Sequence, residues 1–202
     1  MSLSTYLGLK DAIESWSHRN DVASRLDDFI DLAESEMLKW IRIRDMETRT
    51  TATTSGRYLA LPTGFLEMRR LRIISGAQYF EVLSSTPEGM FITQDSGMPK
   101  LFTVTGQVEF DRTPDSAYTV EFQYYAAPTA LSAGNPTNSI LTRYPSVYLF
   151  GSLWALYQWS LQEDKAEYFN QKFMQAIQSA NREDKKGRHG PAPAMRYGGP
   201  TP

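Results

Sequence analysis

Along the first third of the chain, apolar side chains return every three or four residues. Leu9, Ile13 and Trp16 mark a short amphipathic helix, which the polar run Ser17-His18-Arg19-Asn20-Asp21 interrupts. A longer helix follows, with Leu26, Phe29, Ile30, Ala33, Met37, Trp40 and Ile41 on one face. Ser24 with Asp27 reads as a capping box at its start. Asp27, Asp28, Asp31, Glu34 and Glu36 precede Lys39, Arg42 and Arg44, so acids lie near the positive end of the helix dipole and bases near the negative end. Helices are therefore predicted within 5–44.

From Thr48 the period drops to two, and Thr, aromatic and β-branched residues dominate. Strands are predicted at 49–54, 57–61, 67–74, 78–83, 101–105, 107–112 and 117–125, with turns at Ser55-Gly56, Ser75-Gly76 and Gly106. An extended crossing over 126–142 then leads to two more helices. The first, 143–161, is apolar on nearly every side and must be covered on nearly every side. The second, 164–180, carries Ala166, Phe169, Phe173, Ala176, Ile177 and Ala180 as one stripe. Beyond Ala180 the pattern collapses, and residues 181–202 hold four Pro and four Gly with too few apolar groups to offset the entropy of ordering.

The fold class expected is α+β. N-terminal helices (5–44) and C-terminal helices (143–180) form an antiparallel helical bundle, with a central antiparallel β insertion at 48–125. Residues 1–180 make one domain, and 181–202 a flexible, basic, Pro/Gly-rich tail. A length of 202 residues suits one domain with a substantial core. The first ten residues lack the basic start and apolar run of a secretory signal. The most apolar stretch, 147–157, falls short of the roughly 20 residues a spanning helix needs. A soluble protein without a membrane partner is the expectation.

Charge and missing chemistry narrow the function. The formal net charge is −2, but from Asn181 onward five basic residues face two acidic ones, so the tail is +3 and the rest −5. An acidic body argues against tight, sequence-independent DNA binding, which depends on neutralising phosphates. With no Cys there is no disulfide, thiolate ligand or cysteine nucleophile. The two histidines fall in a polar turn (His18) and in the tail (His189), so no Ser-His-Asp arrangement or His-based metal site is predicted. Gly8, Gly56 and Gly64 lack the spacing of a phosphate-cradling loop. No catalytic, metal or cofactor-binding residue is assigned.

Two clusters carry weaker alternatives. Asp27, Asp28 and Asp31 offer a carboxylate cluster for a hard cation or for glycoside chemistry, with Asp27 and Asp31 or Glu34 as the paired carboxylates of a cell-wall hydrolase, although a solvated helix face explains them more simply. Arg69, Arg70 and Arg72 form a basic patch on a strand. With the tail they would serve a DNA-binding packaging factor, but an exposed sheet face or an inter-subunit ion pair is the preferred reading.

A set of strings in fixed order carries a further signal. Asp28-Phe29-Ile30-Asp31-Leu32-Ala33-Glu34 is followed by Leu59-Ala60-Leu61-Pro62 and Phe65-Leu66-Glu67-Met68-Arg69-Arg70-Leu71. Gly97-Met98-Pro99, Phe102-Thr103-Val104-Thr105-Gly106, Thr113-Pro114-Asp115-Ser116-Ala117-Tyr118 and Phe122-Gln123-Tyr124-Tyr125 come next. Leu131-Ser132 and Asn138-Ser139-Ile140-Leu141, before Tyr144-Pro145, close the series. Together, over most of 20–180, the chain resembles the head-to-tail adaptor (connector) proteins of tailed bacteriophages.

The resemblance implies a structural protein of the virion's head-tail junction, present in the host cytoplasm during assembly. It implies a homo-oligomeric ring, typically of twelve copies, added to the portal protein after DNA packaging. Such a ring continues the channel toward a tail or nozzle protein while double-stranded DNA passes without sequence specificity. The helical part would sit at the portal side, and the β part would contact neighbours or the tail. Some adaptors are linked to cell-wall degradation, but no residue here matches a catalytic motif to which that role transfers. A cationic, Pro-containing tail suits docking into a partner's groove, and on sequence grounds it suits an idle solubilising extension equally well. Lys185, Lys186, Arg188, Pro191, Pro193, Arg196 and Tyr197 are accordingly the candidate portal-binding residues, and Arg69, Arg70 and Arg72 the candidate inter-subunit or DNA-facing ones.

Overall fold

The computed structural model describes residues 3–188, which divide into two compact units. One combines the chain up to Arg44 with the chain from Thr129 onward, and the other is Asp45–Pro128. The second unit holds the β-rich stretch. The fold is mixed α+β, with five α-helices and a seven-stranded sheet among the described residues.

In the helical unit, α1 (Tyr6–Ser17) opens where the Thr5 hydroxyl accepts from the Gly8 amide, and it ends at His18 with φ 52°. Next, α2 (Leu26–Trp40) follows a short 3₁₀ turn at Ala23–Arg25. Ser24 lies in that turn and α2 has no side-chain cap, so the predicted capping box does not form. The Asp27 carboxylate instead accepts from the Tyr6 hydroxyl and the Lys10 ammonium of α1. Nor does the helix continue to Arg44. Ile41 is extended (φ −83°, ψ 130°), and Ile41 and Ile43 are both buried, an alternation that belongs to a strand-like segment.

The crossing is not extended throughout. Asn138 accepts from the Leu141 amide at 2.9 Å and caps a short helix, α3 (Ser139–Arg143). Then come α4 (Pro145–Trp159), with Pro at its start, and α5 (Glu163–Arg188). Val147, Tyr148, Leu149, Leu153, Leu156 and Tyr157 of α4 are all buried, so this helix is the centre of the unit. Gly151 lets its neighbours approach: an added Cβ would lie 2.9 Å from the Phe173 ring of α5 and 3.0 Å from Cβ of Ala33 on α2. Helix α5 runs on past its predicted end at Ala180.

All seven predicted strands are present: β1 (Glu47–Thr53), β2 (Tyr58–Leu59), β3 (Phe65–Ser75), β4 (Gln78–Ser84), β5 (Leu101–Val104), β6 (Val108–Phe110) and β7 (Thr119–Ala126). Their order in the sheet is β1-β7-β3-β4-β5-β6-β2. Pairing is antiparallel except between β4 and β5, which run parallel where Leu83 meets Leu101 and Ser84 meets Phe102. The sheet is therefore mixed rather than wholly antiparallel, because the long connection 85–100 lets the chain re-enter in the same direction. Alternate residues build its core: Leu71 and Ile73, Val82, Phe102, Val108 and Phe110, Val120 and Phe122.

Candidate assembly surfaces

The end of α5 is fixed by two polar side chains that read an extended backbone. Asn181 accepts from the Arg42 amide at 2.9 Å and donates to the Trp40 carbonyl at 3.0 Å. One turn on, Asp184 accepts from the Arg44 amide at 2.9 Å. Helix positions three apart thus meet strand-like positions two apart, and the segment's backbone groups find partners without a neighbouring strand. Asp184 is only 3% exposed, whereas Arg182, Lys185 and Lys186 face solvent.

The sequence pattern assigns Asn181 and Asp184 to the tail because polar residues end the apolar stripe. Their spacing from Phe173, Ile177 and Ala180 is the signal that could have found them, since Asp184 continues that buried face. Of the candidate portal-binding residues, Lys185, Lys186 and Arg188 lie on α5. Pro191, Pro193, Arg196 and Tyr197 lie outside the described residues.

Arg69, Arg70 and Arg72 are on β3, where the ladder to β7 shifts register between Met68 and Arg70. That irregularity adds Arg69 to the face where Arg70 and Arg72 already stand two residues apart. Each has a carboxylate partner within the β unit. Arg69 reaches Glu47 at 3.7 Å and lies over the Tyr125 ring. Arg70 grips Glu81 through two nitrogens, and Arg72 pairs with Glu121 beside the Tyr79 ring. The hydrogen bonds of Arg70 hold the Glu81 carboxyl below the usual range. The patch is thus a ladder of alternating charge rather than a row of free cations.

The candidate carboxylates do not share one set of partners. Hydrogen bonds from Lys10 and Tyr6 hold Asp27 below the usual carboxylate range. Glu34 points to other elements: its Oε1 accepts from the Leu131 amide and the Tyr148 hydroxyl, both at 2.9 Å. Burial pushes its carboxyl above the ordinary value despite those donors. Asp28 and Asp31 lie on the exposed face of α2. His18 borders an open hollow with Asp11, Glu14, Ser15 and Asn20. Among the described residues, no group of three or more His, Cys, Asp or Glu is placed to hold a metal ion.

Around the α4–α5 turn, Trp159 lies beside the guanidinium groups of Arg19 and Arg25, and Tyr157 stacks on Phe169. Leu161 projects from the turn itself. No helix among the described residues is long and apolar enough to cross a membrane.

A search of curated proteins finds no match to this chain. Comparison with protein families matches residues 4–196, which takes in both units and nearly the whole sequence, to one described as SU10 adaptor protein. Helices at both ends enclosing a β-rich segment, and the strings that resemble phage head-to-tail adaptors, lie within that match: the chain belongs to the SU10 adaptor protein family.

Proposed function

We propose that this adaptor assembles as a ring of about twelve copies on the portal and continues the DNA channel toward the tail or nozzle protein. The adaptor family carries the coarser part of this reading, a structural role among virion components. An antiparallel arrangement of the terminal helices at the portal side, with the β unit toward neighbours or the tail, completes it. A body of formal charge −5 suits a channel through which DNA must slide. Pairing of Arg69, Arg70 and Arg72 with carboxylates favours the same outcome, whether that sheet face lies between subunits or toward DNA.

The observation that carries the portal contact is the anchored end of α5. Asn181 and Asp184 hold the helix down while Lys185 and Lys186 face outward, so cationic residues leave the fold from a fixed point. Docking on the portal then runs through Lys185, Lys186, Arg188, Pro191, Pro193, Arg196 and Tyr197. Removing residues 186–202 and measuring attachment to portal rings tests it: attachment should be lost, and undiminished attachment rejects the docking role. Imaging the full chain on the portal gives the copy number directly.

A further inference from the structure

The turn between α4 and α5 closes with Leu161 N–H donating to the Gln158 carbonyl at 3.1 Å and Gln162 N–H to the Tyr157 carbonyl at 3.0 Å. In this helix-ending motif the left-handed position is usually glycine. Here it is Leu161, with φ 55° and 86% of its surface exposed. A side chain in that conformation carries a conformational cost, because its Cβ crowds the following carbonyl oxygen. Being exposed, it recovers little of that cost within the chain.

Beside it lies an open groove of about 640 Å³. Trp154, Tyr157, Leu161 and Ala166 supply its apolar wall, and Glu163 and Glu167 its acidic rim. Across 163–167 three carboxylates face a single cation, Lys165, whose ammonium already stands over the Tyr157 ring at 5.1 Å. The groove therefore suits a short segment that joins apolar side chains to a guanidinium.

Beyond Arg188 the chain contains one such segment, Met195-Arg196-Tyr197. We propose that this segment of one copy occupies the α4–α5 groove of a second copy, with Arg196 toward Glu163 and Glu167 and the flanking side chains against Trp154, Tyr157 and Leu161. Reach argues for a second copy. From Glu167 to Arg188 α5 rises roughly 32 Å at about 1.5 Å per residue. The chain from Arg188 to Arg196 spans at most about 26–29 Å when fully extended. Even a fully straight backbone thus falls about 3–6 Å short of Glu167 in its own groove, a gap left to the Arg196 side chain, whereas a neighbour's groove imposes no such restriction.

The inference rests on the adaptor reading only in supplying a second copy. Because the proposed portal contact uses the same tail, groove and portal compete for it, and the groove holds the tail until the portal is met.

The absence of Cys makes the test free of background. Chains carrying Gln158→Cys are mixed with chains carrying Gly198→Cys, and disulfide-linked pairs are counted against a control mixture of Ser75→Cys with Gly198→Cys. The groove pair should exceed the control several-fold, fall to it when Leu161→Gly or Glu163→Lys with Glu167→Lys is added, and decline when portal rings are present. A yield no higher than the control overturns the proposal. So does a link that forms only within one chain of the doubly substituted protein. If the link is enriched but indifferent to portal, the groove stands and portal docking through the tail falls. If the tail is needed for portal attachment and no link forms, the groove alone falls.

Discussion

Glu34 and Tyr148, 114 residues apart, share a buried hydrogen bond of 2.9 Å in which the phenol donates to a carboxylate oxygen. That oxygen also accepts from the Leu131 amide, and Asn138, the cap of α3, donates to the Tyr148 hydroxyl at 2.7 Å. One carboxylate thus ties α2, the crossing and α4 together.

Burial raises the Glu34 carboxyl above its ordinary value, so the folded chain holds that proton to higher pH than the unfolded chain. Its contribution to stability is fully present below the ordinary glutamate range and is lost as pH rises through the raised value. Glu34→Gln removes this dependence. Denaturant titrations of both proteins at several pH values from about 4 to about 7 should show the Glu34→Gln chain gaining stability relative to the parent chain as pH rises. A constant difference would contradict the burial argument.

Neighbouring positions on α4 should respond with opposite signs. Gly151→Ala forces a methyl against Phe173 and Ala33, and overpacking of this kind costs about 1–3 kcal/mol. The buried Ser152 hydroxyl has no hydrogen-bond partner among the described residues, so Ser152→Ala should stabilise by roughly 1 kcal/mol. Thermal unfolding of the two variants checks both signs.

Asp184→Ala leaves the Arg44 amide without its acceptor and should cost about 1–3 kcal/mol. Hydrogen exchange should then speed up along the last two turns of α5. Lys185→Ala, one residue away on the exposed side, should change stability by less than about 0.5 kcal/mol. Equal effects at the two positions would mean the helix end is not anchored.

Leu161→Gly relieves a left-handed leucine and should raise stability by up to about 1 kcal/mol, as judged by the unfolding midpoint. A loss of stability would show that the exposed side chain has a packing role in the isolated chain.

Much of this architecture was legible in the sequence. The change of period near Thr48 located all seven strands, because a half-buried sheet imposes alternation directly on residues such as Val120, Phe122 and Tyr124. Errors fell where tertiary partners decide. Asp27 has the spacing of a cap residue, but Tyr6 and Lys10 claim it, and Ile41 continues a helical stripe although its backbone is extended. Asn181 and Asp184 look like the start of a tail because their partners, Arg42 and Arg44, are some 140 residues earlier. The parallel meeting of β4 with β5 leaves no local mark, since strand direction is a property of the pair. Leu161 occupies a place where glycine would have announced the turn.

The helical unit is split in the chain by the whole of Asp45–Pro128, and this has a kinetic consequence. During synthesis α2 emerges long before α4, its main packing partner, whereas every strand of the sheet is available once Ala126 has been made. The β unit can therefore close first, and α2 must wait with Phe29, Ile30 and Met37 uncovered. Chaperone dependence during translation should follow from that interval rather than from the sheet.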